Sequence, residues 1–476
     1  MASDTIPRDP PCDVSVIIAG AGVGGLMTAL ECWRRGCTVR VFERTKHNVT
    51  TGDSFTIGPT AIRAIERWPW MRQRNQEIAY HPMIAFHSHT GERLAGPIDL
   101  SEIVSENGGD ASKHIYRHSR PKFHRMLLDQ LGKIKIPVEY GNEVVEYFEN
   151  THAAKAGVVV RDGTTHEADL IVAADGVRGN SWPLIAGQPI PARSSGAAVF
   201  RVAYPVELAL ADPVVAERFQ LQDDGRGVME MWDGPGMHAS FFRSEDQMMW
   251  GINHPDLGSA AESWSHKASV EEVLKFTATV PNWPEVADRV IKKTPADLLV
   301  DWKLMWRDPQ PKWTSPEGRV VQLGDAAHTF LPSSGNGASQ AIEDAVSLAA
   351  CVSMAGCKGK VPDATRVHNL LRFERVSCLQ AFGVKNAKKR STAVHKKGAE
   401  DGAKKMTPRL SRWIVSHDPE KYVFENYEQA LQHLKRGVPF QNTNIPPGIT
   451  YKPWTIDGLL AAQERGEPTV LDGDWD

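Results

Sequence analysis

The sequence predicts an α/β fold that combines parallel strands and helices with an inserted, mainly antiparallel β-sheet and a C-terminal helical region. Three observations predict this class. An apolar run at residues 14–19 leads through a glycine-rich turn into a helix and a second strand, which is the order of a βαβ unit. From about residue 194 to residue 256, strand-like segments follow one another without helical patterns. Two long helical patterns, at about 337–356 and 363–393, come next.

The βαβ unit contains the pattern Gly-x-Gly-x-x-Gly at Gly20, Gly22 and Gly25. In such a turn the first glycine permits a tight bend, the second lets the backbone approach a pyrophosphate, and the third lets the helix pack closely on the strand. The second strand ends at Glu43, about 20 residues further on, where a carboxylate that binds ribose hydroxyls is expected. The alternative is an ordinary tight turn. The pattern predicts a dinucleotide site in a Rossmann-like domain.

The composition excludes several classes of protein. The chain has 476 residues, 41% of them hydrophobic and 24% charged, and a formal net charge of −3. This length predicts two domains or one large composite, and the charge gives no reason to expect nucleic acid as a partner. No apolar stretch reaches the roughly 18 residues of a membrane span, and the polar, proline-rich start of the chain lacks the apolar core of a signal peptide.

The cysteines and histidines predict neither disulfides nor a metal site. The six cysteines form no C-x-x-C pair, so reduced thiols in a cytoplasmic protein are expected. The histidines show no ligand spacing such as H-E-x-x-H, so we expect no bound metal.

Two further motifs follow the glycine turn in order. Ala-Asp-Gly at 174–176 ends the apolar run 170–174, and Gly-Asp-Ala-Ala-His at 324–328 ends another run, after which Gly-Asn-Gly-Ala opens a long helix at 335–338. Together these motifs resemble the class A, single-component FAD monooxygenases of the para-hydroxybenzoate and salicylate hydroxylase type. Within that family the chain is most similar to fungal enzymes of secondary metabolism. The resemblance covers about residues 14–393 and implies an FAD-binding domain of the glutathione-reductase type.

The resemblance implies a role for each motif. The glycine turn and Glu43 would hold the ADP half of FAD. Arg120 would reach the flavin, Asp325 the ribityl chain, and Asp175 both FAD and the pyridine nucleotide. A helix that begins at 335–338 would stabilise the negative charge of reduced flavin. The cofactor-binding residues expected on this basis are Gly20, Gly22, Gly25, Glu43, Arg44, Gly52, Asp53, Ser54, Arg120, Asp175, Asp325, Gly335, Gly337 and Ala338.

Most of these assignments have a structural alternative. Glu43 is alternatively an exposed strand end, and Arg120 a surface residue at a helix start. Asp175 alternatively braces the turn after its strand, and Asp325 caps the next turn. His328 resembles a general base, but the family histidine at this place is mainly structural.

The chain departs from the family pattern near the expected substrate. Many relatives have Gly-Ala-Gly where this chain has Gly52, Asp53 and Ser54, so Asp53 is either a substrate contact or a loop cap. Arg201 matches an arginine that faces flavin and substrate, and we predict that it is catalytic; the alternative is a surface strand residue. Phe242 aligns with a tyrosine of dearomatising relatives, and phenylalanine cannot donate a hydrogen bond.

Aromatic and apolar residues of the middle segment either line a pocket for a large apolar substrate or form ordinary core. These residues are Phe200, Met231, Trp232, Phe241 and Trp250.

The implied reaction is hydride transfer from NADPH or NADH to FAD, reaction of reduced flavin with O₂, and oxygen transfer from a C4a-hydroperoxyflavin. The acceptor would be an electron-rich aromatic, indole or alkene, such as an alkaloid-like small molecule, which is hydroxylated or epoxidised. Because the chain has one glycine fingerprint, we expect NAD(P)H to bind transiently. The alternatives are another FAD oxidoreductase, such as an oxidase or a halogenase, and a non-catalytic FAD-fold binding protein. A monomer or homodimer is expected.

The motifs also predict how the chain is divided. We expect a flexible tail at residues 1–12 and a discontinuous FAD-binding domain at 13–80, 111–185 and 295–390. A β domain that binds the substrate is expected at 81–110 and 186–294, and a C-terminal helical region and tail at 391–476.

Overall fold

A computed structural model describes residues 6–48, 52–99, 115–261, 266–393 and 411–467. In these ranges the chain forms one parallel sheet, three other sheets and a series of helices, which confirms the predicted fold class. The strands are β1 (Ser15–Ala19), β2 (Thr38–Glu43), β3 (Ser54–Ile57), β4 (Ala79–Tyr80), β5 (Met83–Ser88), β6 (Arg93–Asp99), β7 (Tyr116–Ser119), β8 (Val138–Tyr140), β9 (Val144–Asn150), β10 (Lys155–Val160), β11 (Thr165–Ala168), β12 (Leu170–Ala173), β13 (Arg193–Pro205), β14 (Val228–Gly234), β15 (Met237–Arg243), β16 (Gln247–Pro255), β17 (Val300–Trp306) and β18 (Val320–Gln322).

The helices include the two long ones that the sequence predicts. They are α1 (Val23–Arg34), α2 (Pro59–Glu66), α3 (Pro69–Ile78), α4 (Arg120–Lys133), α5 (Trp182–Ala186), α6 (Val206–Leu210), α7 (Pro213–Arg218), α8 (Val270–Thr277), α9 (Glu285–Lys292), α10 (Gly337–Ala355), α11 (Val361–Ala393), α12 (Arg412–Val415), α13 (Pro419–Arg436) and α14 (Ile456–Glu464).

The parallel sheet brings the three sequence motifs to one edge. Its strand order is β18-β12-β1-β2-β8, and every neighbouring pair is parallel. Ala19, Ala173 and Gln322 lie in register at the carboxyl ends of β1, β12 and β18. The glycine turn, the Asp-Gly motif and the Gly-Asp motif therefore leave the same end of the sheet, where open α/β sheets bind their ligands.

The second large sheet is assembled from separate parts of the chain. Its order is β17-β13-β16-β15-β14-β5-β6, and its pairs are antiparallel except for β14 with β5. Strands β5 and β6 lie in sequence between the first two segments predicted for the FAD-binding domain, at 13–80 and 111–185. Strand β17 also belongs to this sheet through its pairing with β13, beyond the limit at residue 294 that the sequence predicts for the β domain.

The two faces of the seven-stranded sheet have different surroundings. Phe200, Trp232, Phe241 and Trp250 point to the face that packs on α6–α9 in a buried core. Phe242 lies on the opposite face in a smaller buried cluster, with Met231 packed against it. Of the five residues that the sequence assigns either to a substrate pocket or to the core, four therefore belong to the core and Met231 lies on the other face.

A small sheet and the C-terminal segment complete the architecture. Strand β7 lies between β3 and β4 in the three-stranded sheet β3-β7-β4. The ring of Tyr80 in this sheet contacts the ring of Phe242 in the large sheet, with centroids 5.8 Å apart.

Within the described ranges, none of the helices has the length and apolarity needed to cross a membrane. The same ranges contain no group of three or more side chains that could hold a metal ion.

Candidate functional site

The glycine turn between β1 and α1 is closely packed on one side and open on the other. A Cβ added to Gly20 would lie 2.3 Å from the carbonyl oxygen of Ala174, and one added to Gly25 would lie 1.9 Å from the carbonyl oxygen of Gly20. A Cβ at Gly22 would meet nothing within 4 Å. Helix α1 begins here without a side-chain cap. The open approach and the free N–H groups suit a bound pyrophosphate.

Glu43 lies beside this turn. Its carboxylate accepts a hydrogen bond from the backbone N–H of Ala21 at 3.0 Å and from that of Thr45 at 2.9 Å. His124 of α4 contacts the carbonyl oxygen of Ala21 through Nε2 at 2.7 Å, a contact between distant segments that no sequence motif signals. Glu43 thus braces the turn, and each of its oxygens keeps a lone pair for a further donor. The neighbouring side chain of Arg44 is exposed.

A second cluster joins residues 52–54 to the start of α4. The backbone N–H of Arg120 donates to the carbonyl oxygen of Asp53 at 2.7 Å. A Cβ added to Gly52 would lie 3.2 Å from the Cβ of Arg120, so glycine permits this close approach. Ser54 is buried at the start of β3. Burial lowers the pKa of Arg120, and nearby Arg201 adds to this effect, whereas Asp53 and Asp325 oppose it.

Asp325 and the start of α10 form the third part. Solvent reaches the side chain of Asp325. The protein atoms packed around it nevertheless displace water, and this desolvation raises the pKa of its carboxyl against the influence of His328, Arg120 and Arg307. We interpret this combination as a carboxylate on the wall of a cleft. Helix α10 begins at Gly337 without a side-chain cap. The N–H groups of its first turn are therefore available to a ligand.

These parts are physically connected. A Cβ added to Gly24 of the glycine turn would lie 3.2 Å from the Cβ of Ala341 in α10. The backbone N–H of Gly58, just after β3, donates to Oγ of Ser339 at 3.0 Å. Gly335 is exposed, and Gly337 and Ala338 are half-buried. The glycine turn, residues 52–54, Arg120, Asp325 and the start of α10 therefore surround one region.

Asp175 points into its own turn. Its Oδ2 accepts hydrogen bonds from the hydroxyl of Tyr147 at 2.6 Å and from the backbone N–H of Asn180 at 3.2 Å. A Cβ added to Gly179 would lie 2.3 Å from Oδ1. Burial raises the pKa of this carboxyl. The contacts are those of a residue that braces the turn after β12, which is one of the two roles that the sequence allows.

Arg201 of β13 connects the seven-stranded sheet to residues 52–54. Its Nε donates to Oδ2 of Asp53 at 2.7 Å, and a guanidinium nitrogen forms an ion pair with the same oxygen. The exposed fractions of the two side chains are 19% and 11%. Arg201 is therefore not a free surface residue, and Asp53 does more than cap its loop.

The comparisons with known proteins decide the family. Residues 13–360 match the family described as the FAD binding domain. The chain belongs to this family. An FAD-dependent monooxygenase, dmxR9, from Cryptosporiopsis sp. (strain 8999) is 40% identical over 99% of this chain and 92% of its own length. AacuC from Aspergillus aculeatus, also an FAD-dependent monooxygenase, is 40% identical over 99% of this chain and 95% of its own length.

Solved structures agree with this assignment. CtdE in complex with FAD and a substrate is similar with a TM-score of 0.80 at 28% identity, over 89% of this chain and 100% of CtdE. This protein is thus an FAD-dependent monooxygenase of the class A type, and both the resemblance and the expected FAD are confirmed. The residues present fit FAD. A side chain at Gly20 or Gly25 would fill the glycine turn, and the starts of α1 and α10 have no side-chain cap, so their N–H groups are available to the cofactor.

A buried network of ion pairs joins the Gly-Asp motif to α10 and α11. His328 Nε2 lies 2.6 Å from Oδ2 of Asp344, which also accepts from the backbone N–H of Gly324 at 3.2 Å. Arg372 of α11 bonds to Asp344 at 2.8 Å and to Glu343 at 2.7 Å. Against the effect of burial, Arg375 and Arg372 of α11 hold the pKa of Glu343 below its usual range, and His328 and Arg372 do the same for Asp344. These contacts fix the Gly-Asp motif to α10 and give His328 a structural role.

Proposed function

We propose that this monooxygenase inserts one oxygen atom from O₂ into an electron-rich aromatic, indole or alkene small molecule, with NAD(P)H as the reductant, in fungal secondary metabolism. The observation that carries the proposal is the hydrogen bond of 2.7 Å between Arg201 and Asp53. The two side chains form a charged pair where residues 52–54, which we propose to lie beside FAD, meet the seven-stranded sheet. The full-length similarity to fungal FAD-dependent monooxygenases supports the same reaction.

Bound FAD supplies the chemistry of oxygen activation and transfer. The protein contributes binding, orientation and charge. We propose that Gly20, Gly22 and Gly25 receive the pyrophosphate, and that Arg120 and Asp325 hold the middle of the cofactor. The first turn of α10, with Gly335, Gly337 and Ala338, would direct its N–H groups at the isoalloxazine, where a helix N-terminus stabilises negative charge. Residues Gly52, Asp53 and Ser54 would lie alongside the ring.

The remaining assignments concern the ribose end and the catalytic group. We propose that Glu43 binds the ribose hydroxyls in addition to bracing the glycine turn, and that Arg44 and Asp175 contribute to the cofactor site. Arg201 is proposed as the catalytic residue. A guanidinium held in place by a carboxylate is oriented in advance, so it can stabilise negative charge that develops on substrate or cofactor without reorganising.

A screen of aromatic and alkaloid compounds tests the function. For each compound, NADPH or NADH consumption, O₂ uptake and the product mass are measured with the FAD-loaded protein. The proposal predicts stimulated consumption and a product heavier by one oxygen atom. Stimulated consumption that gives peroxide alone, a dehydrogenated product, or a halogenated product in the presence of halide would contradict it.

Substitution of Arg201 tests the site. Arg201→Ala should keep FAD, because the contacts proposed for the cofactor lie elsewhere, but should divert most of the NAD(P)H consumed into peroxide. We expect at least a tenfold fall in product formed per NAD(P)H, equivalent to about 1.4 kcal/mol. Arg125→Ala is the matched control, because Arg125 is exposed on α4 and pairs with Asp129. Full coupling in Arg201→Ala would show that the active site is misplaced.

A further inference from the structure

A cavity lies at the β6 edge of the seven-stranded sheet. Its volume is about 280 Å³, which is small beside the pockets of roughly 300–1,000 Å³ that hold drug-sized ligands. Strands β5, β6, β14 and β15, the end of α7 and the residues just after that helix line it. We call it the edge cavity, and its charged and titratable lining residues are His87, Arg93, Arg218, Glu230 and Arg243.

The edge cavity and the proposed active site lie on opposite faces of the sheet. Phe241 belongs to the core on the face that packs on α6–α9, and Phe242 lies on the other face. Side chains two residues apart on a strand point to the same face, so Arg243 shares the face of Phe241. Arg201 follows Phe200 of that core on β13 and therefore points to the opposite face.

Positive charge dominates the lining of the edge cavity. Its lining residues include the three guanidiniums of Arg93, Arg218 and Arg243 but only the one carboxylate of Glu230. Oε2 of this carboxylate already accepts hydrogen bonds from Arg218 and from the indole N–H of Trp232, both at 2.9 Å. The lining residues therefore leave two positive charges unbalanced.

The arginines of the edge cavity keep hydrogen-bond donors for a ligand. Arg218 forms its hydrogen bonds through Nη2, and Arg243 forms its bond through Nη1. No residue that the structure describes accepts a bond from Nη1 of Arg218 or Nη2 of Arg243. Arg93 is exposed and pairs with no described residue. Each guanidinium can therefore donate to the oxygen atoms of an anion.

A buried histidine lies in the same positive field. The side chain of His87 is 3% exposed, and its Nδ1 has no hydrogen-bond partner among the described residues. Burial lowers the pKa of His87 to about 4, and the charges of Arg218 and Arg93 contribute to this shift. Because the ring is neutral at pH 7, its contact of 4.0 Å with Glu230 is not an ion pair. The lining thus includes an unpartnered polar side chain.

We propose that the edge cavity binds a small oxyanion with two or more negative charges, such as a phosphate or a dicarboxylate, at a site separate from the flavin. Guanidiniums bind both groups through strong charge-assisted hydrogen bonds. Two negative charges would balance the excess among the lining residues. The cluster that contains Ile84 and Met229 lies on the other face of β5 and β14, so a bound anion would stabilise the strands that support the proposed active site.

Calorimetric titration of the FAD-loaded protein at constant ionic strength tests the proposal. The probes are inorganic phosphate, malonate, acetate and the neutral malonamide. Phosphate or malonate should bind at one site, about tenfold or more tightly than acetate, and malonamide should give no binding heat. The preferred anion distinguishes a phosphate group from a dicarboxylate.

Three variants assign the binding to the edge cavity. Arg93→Ala removes an exposed side chain and should weaken binding about threefold or more at an unchanged unfolding temperature. Arg243→Gln should weaken it about tenfold or more. Glu230→Gln removes the one carboxylate of the lining and should instead strengthen binding. Arg72→Ala is the matched control, because Arg72 is exposed on α3 and also pairs with no described residue.

Several outcomes overturn the inference. These are failure of both phosphate and malonate to bind, equal affinity for malonate and malonamide, and unchanged affinity in both Arg93→Ala and Arg243→Gln. An equal loss in Arg72→Ala would show a general effect of surface charge. Binding that changes the flavin absorbance spectrum and disappears in Arg201→Ala would place the anion at the proposed active site instead.

Discussion

At the scale of single residues, the described core contains polar side chains that water does not reach. His118 of β7 is 0% exposed. Its ring lies near those of Phe55 and Phe123, with centroids 6.3 and 4.9 Å away. Neither ring nitrogen has a hydrogen-bond partner among the described residues. Burial in this aromatic surrounding lowers the pKa of His118 to about 3, so the folded protein holds the ring neutral.

His118 should make the protein sensitive to acid. The histidine pKa is about 6.5 in the unfolded chain and about 3 in the folded protein, so between these values only the unfolded chain takes up the proton. Stability therefore falls as pH drops below 6.5, by up to about 1.4 kcal/mol per pH unit. His118→Leu should flatten this slope and unfold at higher urea concentration at pH 5.

Urea unfolding at pH 7 and pH 5 checks this expectation. His152→Leu serves as the control because His152 is exposed. Equal pH slopes in the wild type and His118→Leu would show that another group causes the acid sensitivity.

At the scale of elements, the FAD site depends on how closely β1, α1 and α10 approach one another. Gly25 lies where α1 packs against the end of β1. The carbonyl oxygen of Gly20 occupies the place that a Cβ of residue 25 would take. The packing therefore positions the N-terminus of the helix, whose N–H groups are proposed to receive the pyrophosphate.

Gly25→Ala should disrupt this arrangement. The added methyl group would lie 1.9 Å from a backbone oxygen, so the helix must shift. We expect the loss of about 3 kcal/mol of stability and of most bound FAD, measured by thermal unfolding and by flavin absorbance per protein.

Gly132→Ala in α4 is the matched control. A Cβ there would meet nothing within 4 Å, and alanine stabilises a helix by roughly 0.5–1 kcal/mol relative to glycine. Normal FAD content in Gly25→Ala would contradict the role given to the turn.

At the scale of the whole molecule, one buried arginine connects the FAD-binding segments to the C-terminal segment through an ion pair and backbone hydrogen bonds. Arg375 of α11 bonds to Glu343 at 3.0 Å and donates to the backbone oxygens of Trp413, Ile414 and Asn444 at 2.8, 3.1 and 3.1 Å. Arg375 and Glu343 are both 0% exposed. One side chain thus holds α10, α12 and the residues after α13 together.

Removal of Arg375 should be strongly destabilising. Arg375→Met leaves Glu343 as a buried carboxylate with one arginine instead of two, and it leaves three carbonyl groups without this donor. We expect a loss of about 3–5 kcal/mol in the free energy of unfolding, measured by urea unfolding, and faster proteolysis within residues 411–445.

Arg366→Met, which removes an exposed hydrogen bond to the carbonyl oxygen of Pro316, should change stability by less than about 0.5 kcal/mol. If Arg375→Met is as stable as this control, the network does not hold the C-terminal segment.

Local patterns predicted the fold well, because the βαβ unit, the buried strand at 170–174 and the long helices follow from periodicity and glycine spacing. Two features could not be predicted from the sequence. Alternation with period two places Phe241 and Phe242 on opposite faces but cannot say which face meets the cofactor. In the sequence Arg375 resembles an ordinary charged residue, since its burial arises only from contacts between distant segments. The roles of all the predicted site residues toward FAD and substrate, from the glycine turn to Arg201, stay predictions.

The parallel sheet also has a consequence for synthesis of the chain. Strand β1 ends at Ala19, yet its neighbour β12 spans Leu170–Ala173, and β18, on the far side of β12, spans Val320–Gln322. A ribosome has to deliver most of the polypeptide before this sheet can close, and contacts so far apart in sequence form slowly. Until then the apolar strands stay uncovered, so the nascent protein should depend on chaperones more than a protein built from local contacts.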